Sequence, residues 1–443
     1  MVIALTPAQR TSMPPMPPAP MSPARSAHVF AEAPRASARD TGIDLVRAVC
    51  VVLVVLLHGL MAGVTIGESG PVFANATEDA AWFAPVTWVL QIMPLFFVIG
   101  GFAGAIAYRR MRERGGSAVD FVTARIHRLV MPAVLTIAAA GVVLAALAAS
   151  GVAPELVQIA GFRFSQPLWF LAVFLLCQAL LPALLAWHER APLRSILVLA
   201  AAAGLVDVVR ASTGIYAIGA LNFALVWLAL QRVGFFLADG RIDALRRRTR
   251  IRIGLGAVGM LGASFALGIF SPDLIANLNP PTVALLLVGV AQTALLSLFR
   301  PWLAEVSARP RVARFTGFVT ARTMTIYLWH MPVLLVMAGA TAVFAMDAGI
   351  DLPEFSSPSW FVTRPLWIGC ALVLTALVAW AFAGGEKMRM PVRTASTSRA
   401  VQAAVLGLLG VVALLAAGAT VLTAALAVGL MVLALMRIRP ARG

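Results

Sequence analysis

IDLVRAVCVVLVVLLHGLMAG, residues 43–63, is the stretch from which the rest of the chain can be read. It is apolar and about as long as a helix must be to cross a bilayer. Yet it carries Asp44 and Arg47 near its start and His58 deep inside. Arg47 and His58 lie eleven residues apart. At ~100° per residue the offset after three turns is only ~20°, so both share one helix face. The helical rise separates them by ~16 Å. Ionisable groups at bilayer depth are costly and normally face a cavity, where they mark a site. The stretch therefore predicts a membrane helix with a guanidinium near one membrane surface and an imidazole about half a bilayer away.

Composition carries this pattern to the whole chain. Of 443 residues, 60% are hydrophobic and only 12% are charged; a soluble domain averages about 25% charged. The expected fold class is all-α, a polytopic transmembrane helix bundle. The net charge of +16 does not point to nucleic acid, because the arginines sit in short loops between apolar spans and no aromatic-interleaved basic tract is present. No nucleic-acid partner is expected; the partner is the lipid bilayer. Cys50, Cys177 and Cys370 show no metal-ligand spacing and read as small core residues, so no metal site is expected.

Residues 1–40 are rich in Pro, Ala and Ser and lack the apolar core of a signal peptide, so a disordered cytoplasmic tail is expected. About ten core spans occupy 41–385. The second, near 84–108, contains Gly100, Gly101 and Gly104, which permit close approach of a helix or a ligand. Residues 386–443 hold a basic loop and the apolar run Val401–Met436. As one helix that run would be ~54 Å long against a hydrocarbon core of ~30 Å. A hairpin breaking near Gly418-Ala419-Thr420 is expected instead, for about twelve spans in total. Placing both termini in the cytoplasm puts 30 of the 35 Lys and Arg on that side. Arg47 then lies toward the cytoplasm and His58 toward the outer half of a multi-pass protein of the plasma (inner) membrane.

Several residues could carry chemistry. The His58 imidazole suits general base work near neutral pH, and Asp44 is spaced to pair with Arg47. His330 also lies at bilayer depth, with Tyr327 and Trp329 as neighbours. Arg109 and Arg112 share a helix face, and Arg125 and Arg128 repeat the spacing; paired guanidinium forks suit a phosphorylated ligand. Trp169 reads as a span-end aromatic that could line a substrate pocket. No phosphate-binding loop, zinc-protease, serine-hydrolase or dinucleotide motif is present.

Taken in order, Asp44-Leu45-x-Arg47, the R-x10-H pair Arg47 and His58, PLFFVIGGF at 94–102, Arg109-x-x-Arg112, the R-x-x-R-x-x-x-P string at 125–132, PLWFL at 167–171 and YLWHMP at 327–332 resemble the acyltransferase-3 family of integral membrane acyltransferases. The resemblance implies transfer of an acyl group, commonly acetyl, from cytoplasmic acyl-CoA (acetyl-CoA) to a hydroxyl of a cell-envelope or lipid-linked carbohydrate. By matched position, His58 resembles the essential intramembrane histidine, Arg47 its motif partner, and Arg109 with Arg112 the donor-side pair. Two routes stay open: His58 as base for direct attack, or as a covalent acyl relay. There are departures. Gly100-Gly101-Phe102 stands where the family often has Ser-Gly-Phe, and the C-terminal hairpin is extra. No hydrolase-like domain follows the spans, so the acceptor is expected from the membrane core or a partner. The competing class is a proton-coupled transporter using the intramembrane histidines and Asp207; against it stand the missing inverted repeat and the scarcity of mid-membrane acids. A non-catalytic scaffold would leave His58→Ala silent. A homo-oligomer is compatible with any of these.

Overall fold

The computed structural model describes residues 40–68, 70–382, 384 and 392–440. The expected N-terminal tail and part of the last basic loop lie outside them. Helix α1 (Thr41–Met61) runs into a short antiparallel hairpin, β1 (Ala62–Gly67) and β2 (Gly70–Asn75), paired from Ala62↔Asn75 to Gly67↔Gly70. Then follow α2 (Phe83–Leu90), α3 (Met93–Glu113), α4 (Ala118–Ala149), α5 (Pro154–Ser165), α6 (Trp169–Arg190), α7 (Pro192–Thr213), α8 (Asn222–Ala238) and α9 (Arg247–Ala266). The chain continues through α10 (Ala284–Ser307), α11 (Pro310–Thr320), α12 (Thr323–Ala348), α13 (Pro358–Phe382), α14 (Thr397–Ala417) and α15 (Val421–Arg437). Among the described residues, ten helices are long and apolar enough to cross a membrane, counting α2 with α3 and α5 with α6. The protein is thus an integral, multi-pass helical bundle. Two expected spans are not among the ten: α15 is shorter, and α9 opens on Arg247, Arg248, Arg250 and Arg252. Cys50 and Cys177 are buried as expected, whereas Cys370 faces outward from α13.

The chain departs from straight spans in three places, each for a local reason. The second expected span is broken at Gln91–Ile92. Pro94, at the start of α3, has no amide hydrogen to continue the helix. Gln292 of α10 bridges the break: its Nε2 donates to the Gln91 carbonyl at 2.7 Å and its Oε1 accepts from the Leu95 amide at 3.0 Å. Between α5 and α6, Pro167 sits in a 3₁₀ turn, Gln166–Leu168. Residues 62–75, directly after α1, form the β-hairpin.

α3 and α8 pack backbone to backbone. A Cβ on Gly101 would lie 2.0 Å from the Gln231 carbonyl oxygen, and one on Gly234 would lie 2.0 Å from the Val98 carbonyl oxygen. Around this crossing grows one core containing Phe97, Phe102, Trp227 and Phe235. A second core joins α4, α5, α6, α12, α14 and α15. The C-terminal run breaks at Gly418–Thr420 and returns as a hairpin, as its length requires. Gly418 adopts φ 71°, and Thr420 caps α15.

Gly101→Ala should force α3 and α8 apart, at about 1–3 kcal/mol, and lower the detergent melting temperature. Gly262→Ala, where nothing lies within 4 Å of the added carbon, should not. Equal melting temperatures for the two variants would refute backbone contact at this crossing.

Candidate functional site

α1 is anchored by an ion-paired cap and by an ion pair within its first turns. Asp40 accepts from the Ile43 amide at 2.9 Å and from Arg300 at 2.7 Å. One turn on, Arg47 meets Asp44 at 2.6 Å. From this anchored end α1 runs inward along a cavity of about 570 Å³, which both Arg47 and His58 line. The shared face read from their spacing is thus the cavity face. Arg125, Arg128, Trp169 and Tyr327 line the same cavity. The broken segments line it as well: Leu90, Gln91, Ile92 and Met93 on one side, and Ser165, Gln166 and Pro167 on another.

His58 Nδ1 lies 2.9 Å from the Val54 carbonyl. A carbonyl can only accept, so Nδ1 carries the hydrogen. The neutral ring therefore keeps its free lone pair on Nε2. His330 is held the same way, with Nδ1 donating to the Tyr327 carbonyl at 2.5 Å. The two rings meet edge-on with centroids 4.9 Å apart. His330 is fully buried behind His58, and its Nε2 has no hydrogen-bond partner among the described residues. Tyr327 donates its hydroxyl to the Pro167 carbonyl at 2.8 Å, tying α12 to the 3₁₀ turn. Trp169 stacks on Trp227 at 5.5 Å, and Trp227 on Phe97 at 4.5 Å, so a rigid aromatic column backs this wall.

The cavity is electrically polar along its length. At the end where α1 begins, Arg47, Arg125 and Arg128 line it together with Thr320 and Thr323. Arg125 lies within electrostatic range of both Arg47 and Arg128, and among the described residues neither Arg125 nor Arg128 has a carboxylate partner. At the opposite end the cavity meets a second recess of about 460 Å³ lined by Asn75, Thr77, Glu78, Asp79 and Asp273. Met61, Phe162, Arg163, Gln166 and Ile275 line both. Arg163, in the last turn of α5, was not among the residues singled out from the sequence. The α14–α15 hairpin also reaches the cavity. Leu415 lines it, and the Ala419 amide donates to the Gly161 carbonyl at 3.3 Å, beside Phe162 and Arg163.

Arg109 and Arg112 are elsewhere. They extend from the end of α3 to Glu189 and Asp239, away from the cavity lining. Arg109 lies 2.8 Å from Asp239, whose other oxygen accepts from His188 Nε2 at 2.9 Å. This cluster joins the ends of α3, α6 and α8. Burial works to raise the Asp239 carboxyl, but hydrogen bonds from His188 and Arg109, with the Arg109 charge, outweigh it and hold the group below the usual carboxylate range.

Among known proteins, a family model described as an acyltransferase domain, that of the acyltransferase-3 family, matches residues 40–384. No curated protein and no solved structure matches.

Because Asp239 titrates lower folded than unfolded, its contribution to stability is complete above the unfolded value of ~3.9 and is lost as pH falls through the folded value. Asp239→Asn should therefore lower the melting temperature at neutral pH, and the gap to wild type should narrow below about pH 4. A gap unchanged between neutral pH and about pH 3.5 would count against this ion cluster.

Proposed function

The chain belongs to the acyltransferase-3 family, and from this premise we propose that it moves an acetyl group from cytoplasmic acetyl-CoA to a hydroxyl of a cell-envelope or lipid-linked carbohydrate, through the cavity that contains His58. The observation that carries the reading is the arrangement along that cavity. Three guanidiniums stand at one mouth, two of them (Arg125 and Arg128) without a carboxylate partner among the described residues; a lone-pair imidazole nitrogen lies further in along α1, and a polar recess opens at the far end.

The basic end of the bundle faces the cytoplasm in this proposal, following the positive-inside rule, in the inner membrane of the cell. Arg47, Arg125 and Arg128 hold the phosphates of the donor, because guanidinium forks match phosphate oxygens. The thin pantetheine arm reaches from there to His58, a helical rise of ~16 Å. His58 Nε2 takes the proton of the acceptor hydroxyl. The freed oxygen attacks the thioester carbonyl, the C–S bond breaks, and the imidazolium returns its proton to the departing thiolate. Arg109 and Arg112 serve the donor side indirectly, by fixing the ends of α3, α6 and α8 beneath the site. Trp169, Tyr327 and His330 build the wall that receives the acyl group and the acceptor. The transporter reading has less support: Asp207 accepts from the Asn222 amide at 3.0 Å and the Val283 backbone at 2.8 Å, and it is absent from the cavity lining.

The test is free thiol release from acetyl-CoA by the protein in lipid nanodiscs, with a membrane glycolipid extract as acceptor. His58→Ala should lose about 10²–10⁴-fold in kcat. Arg125→Ala and Arg128→Ala should each raise the acetyl-CoA KM about tenfold, the worth of one charge-assisted contact. Arg109→Ala should leave that KM within about twofold. Wild-type thiol release that survives in His58→Ala would remove His58 from the reaction. Radiolabel retained on His58 after an acetyl-CoA quench would replace direct attack with the relay.

A further inference from the structure

Arg364 is a nearly buried cation on α13, 8% exposed, with no carboxylate partner among the described residues. An unpaired guanidinium in a membrane bundle is costly and needs a compensating contact. Its Nη2, with two hydrogens of which one is shared, donates to the backbone carbonyls of Gly59, Leu60 (3.0 Å) and Ala62. Its guanidinium carbon lies over the rings of Trp360 at 4.9 Å and Trp367 at 4.4 Å. The first two carbonyls belong to the last turn of α1, the turn that begins at His58.

The end of that helix is fully satisfied. The His58 carbonyl accepts from the Ala62 amide. The Met61 carbonyl accepts from the Ala76 amide of the β-hairpin connection at 2.8 Å. The remaining two, Gly59 and Leu60, are served by Arg364. Carbonyls released at a helix end otherwise turn to water or to another donor; here Arg364 supplies that donor. A cation at this end also opposes the partial negative charge of the helix C-terminus.

We propose that Arg364 is a positioning residue for His58: by holding the carbonyls of the last turn it keeps that turn α-helical and aims the imidazole into the cavity. The proposal rests on the reading that His58 carries the transfer. It separates two functions along one helix. Donor binding depends on the arginine mouth, and chemistry depends on the far end that Arg364 clamps. Lysine can supply the charge but not a planar fork between two tryptophan rings.

The experiment compares wild type, Arg364→Met and Arg364→Lys as full chains in nanodiscs, with two readouts. The first is acetyl-CoA thiol release with the glycolipid extract. Arg364→Met should lower kcat about 100-fold with the acetyl-CoA KM within about twofold, and Arg364→Lys should recover at least about tenfold of the loss. The second needs no turnover: the rate of His58 carbethoxylation by diethyl pyrocarbonate, followed by mass spectrometry of the α1 peptide. It should change at least about fivefold in Arg364→Met and less in Arg364→Lys. Wild-type kcat with an unchanged His58 modification rate in Arg364→Met would overturn the proposal. So would parallel loss of CoA binding and kcat in both variants, which marks general collapse. If wild type releases no thiol while His58 reactivity still tracks Arg364, the acyl-transfer reading fails and the positioning role stands.

Discussion

Where a helix ends inside a bundle that excludes water, its backbone groups must find partners from other helices, and the cavity exists because this condition is met at three places around it. Gln292 bridges the break before α3, Tyr327 takes the carbonyl of Pro167 before α6, and Arg364 takes the carbonyls that end α1. A continuous helix in any of the three positions would fill the space with its own side chains and need no such partner. Irregular backbone at membrane depth is tolerated where it is buried in protein or lines a cavity. Here the same segments do both.

Charge is divided along the cavity as deliberately as backbone. Of the arginines named from their spacing, one group is neutralised and another is not. Arg109 and Arg112 lie against Glu189 and Asp239 at the ends of α3, α6 and α8. Arg125 and Arg128 face the cavity without acidic partners among the described residues. Identical R-x-x-R spacing thus yields a clamp in one case and an open cationic mouth in the other. The difference is made by the helices that pack alongside: α6 and α8 bring Glu189 and Asp239 to the first pair, whereas α6, α12, α14 and α15, which pack on α4, bring no carboxylate to the second among the described residues.

This explains which parts of the site could be read without coordinates. Periodicity within one helix is legible, so the common face of Arg47 and His58 could be derived from an eleven-residue separation, and so could the break at Gly418–Thr420 from excess length. Partners from distant segments are not legible. His330 is 272 positions from His58 in number, yet the rings meet at 4.9 Å. Arg364 looks like one more arginine at a span end until its three carbonyls are seen. The break at Gln91–Ile92 was signalled by Pro94, but an apolar run reads through a single proline as one span. The β-hairpin after α1 was hidden because its strands are only six residues each and the first follows the apolar span without a break.

The hairpin α14–α15 lies beyond the family match, which ends at 384. It is nevertheless built into the chamber. Leu415 forms part of the wall, and a Cβ on Gly161 would fall 1.8 Å from the Ala419 carbonyl oxygen, so α5 and the hairpin turn are fitted to each other without clearance. The boundary of the family match and the boundary of the cavity therefore do not coincide in this protein. A truncation drawn at residue 384 would keep every motif of the family and still remove Leu415 from the cavity wall and the Ala419 turn from its seat on Gly161.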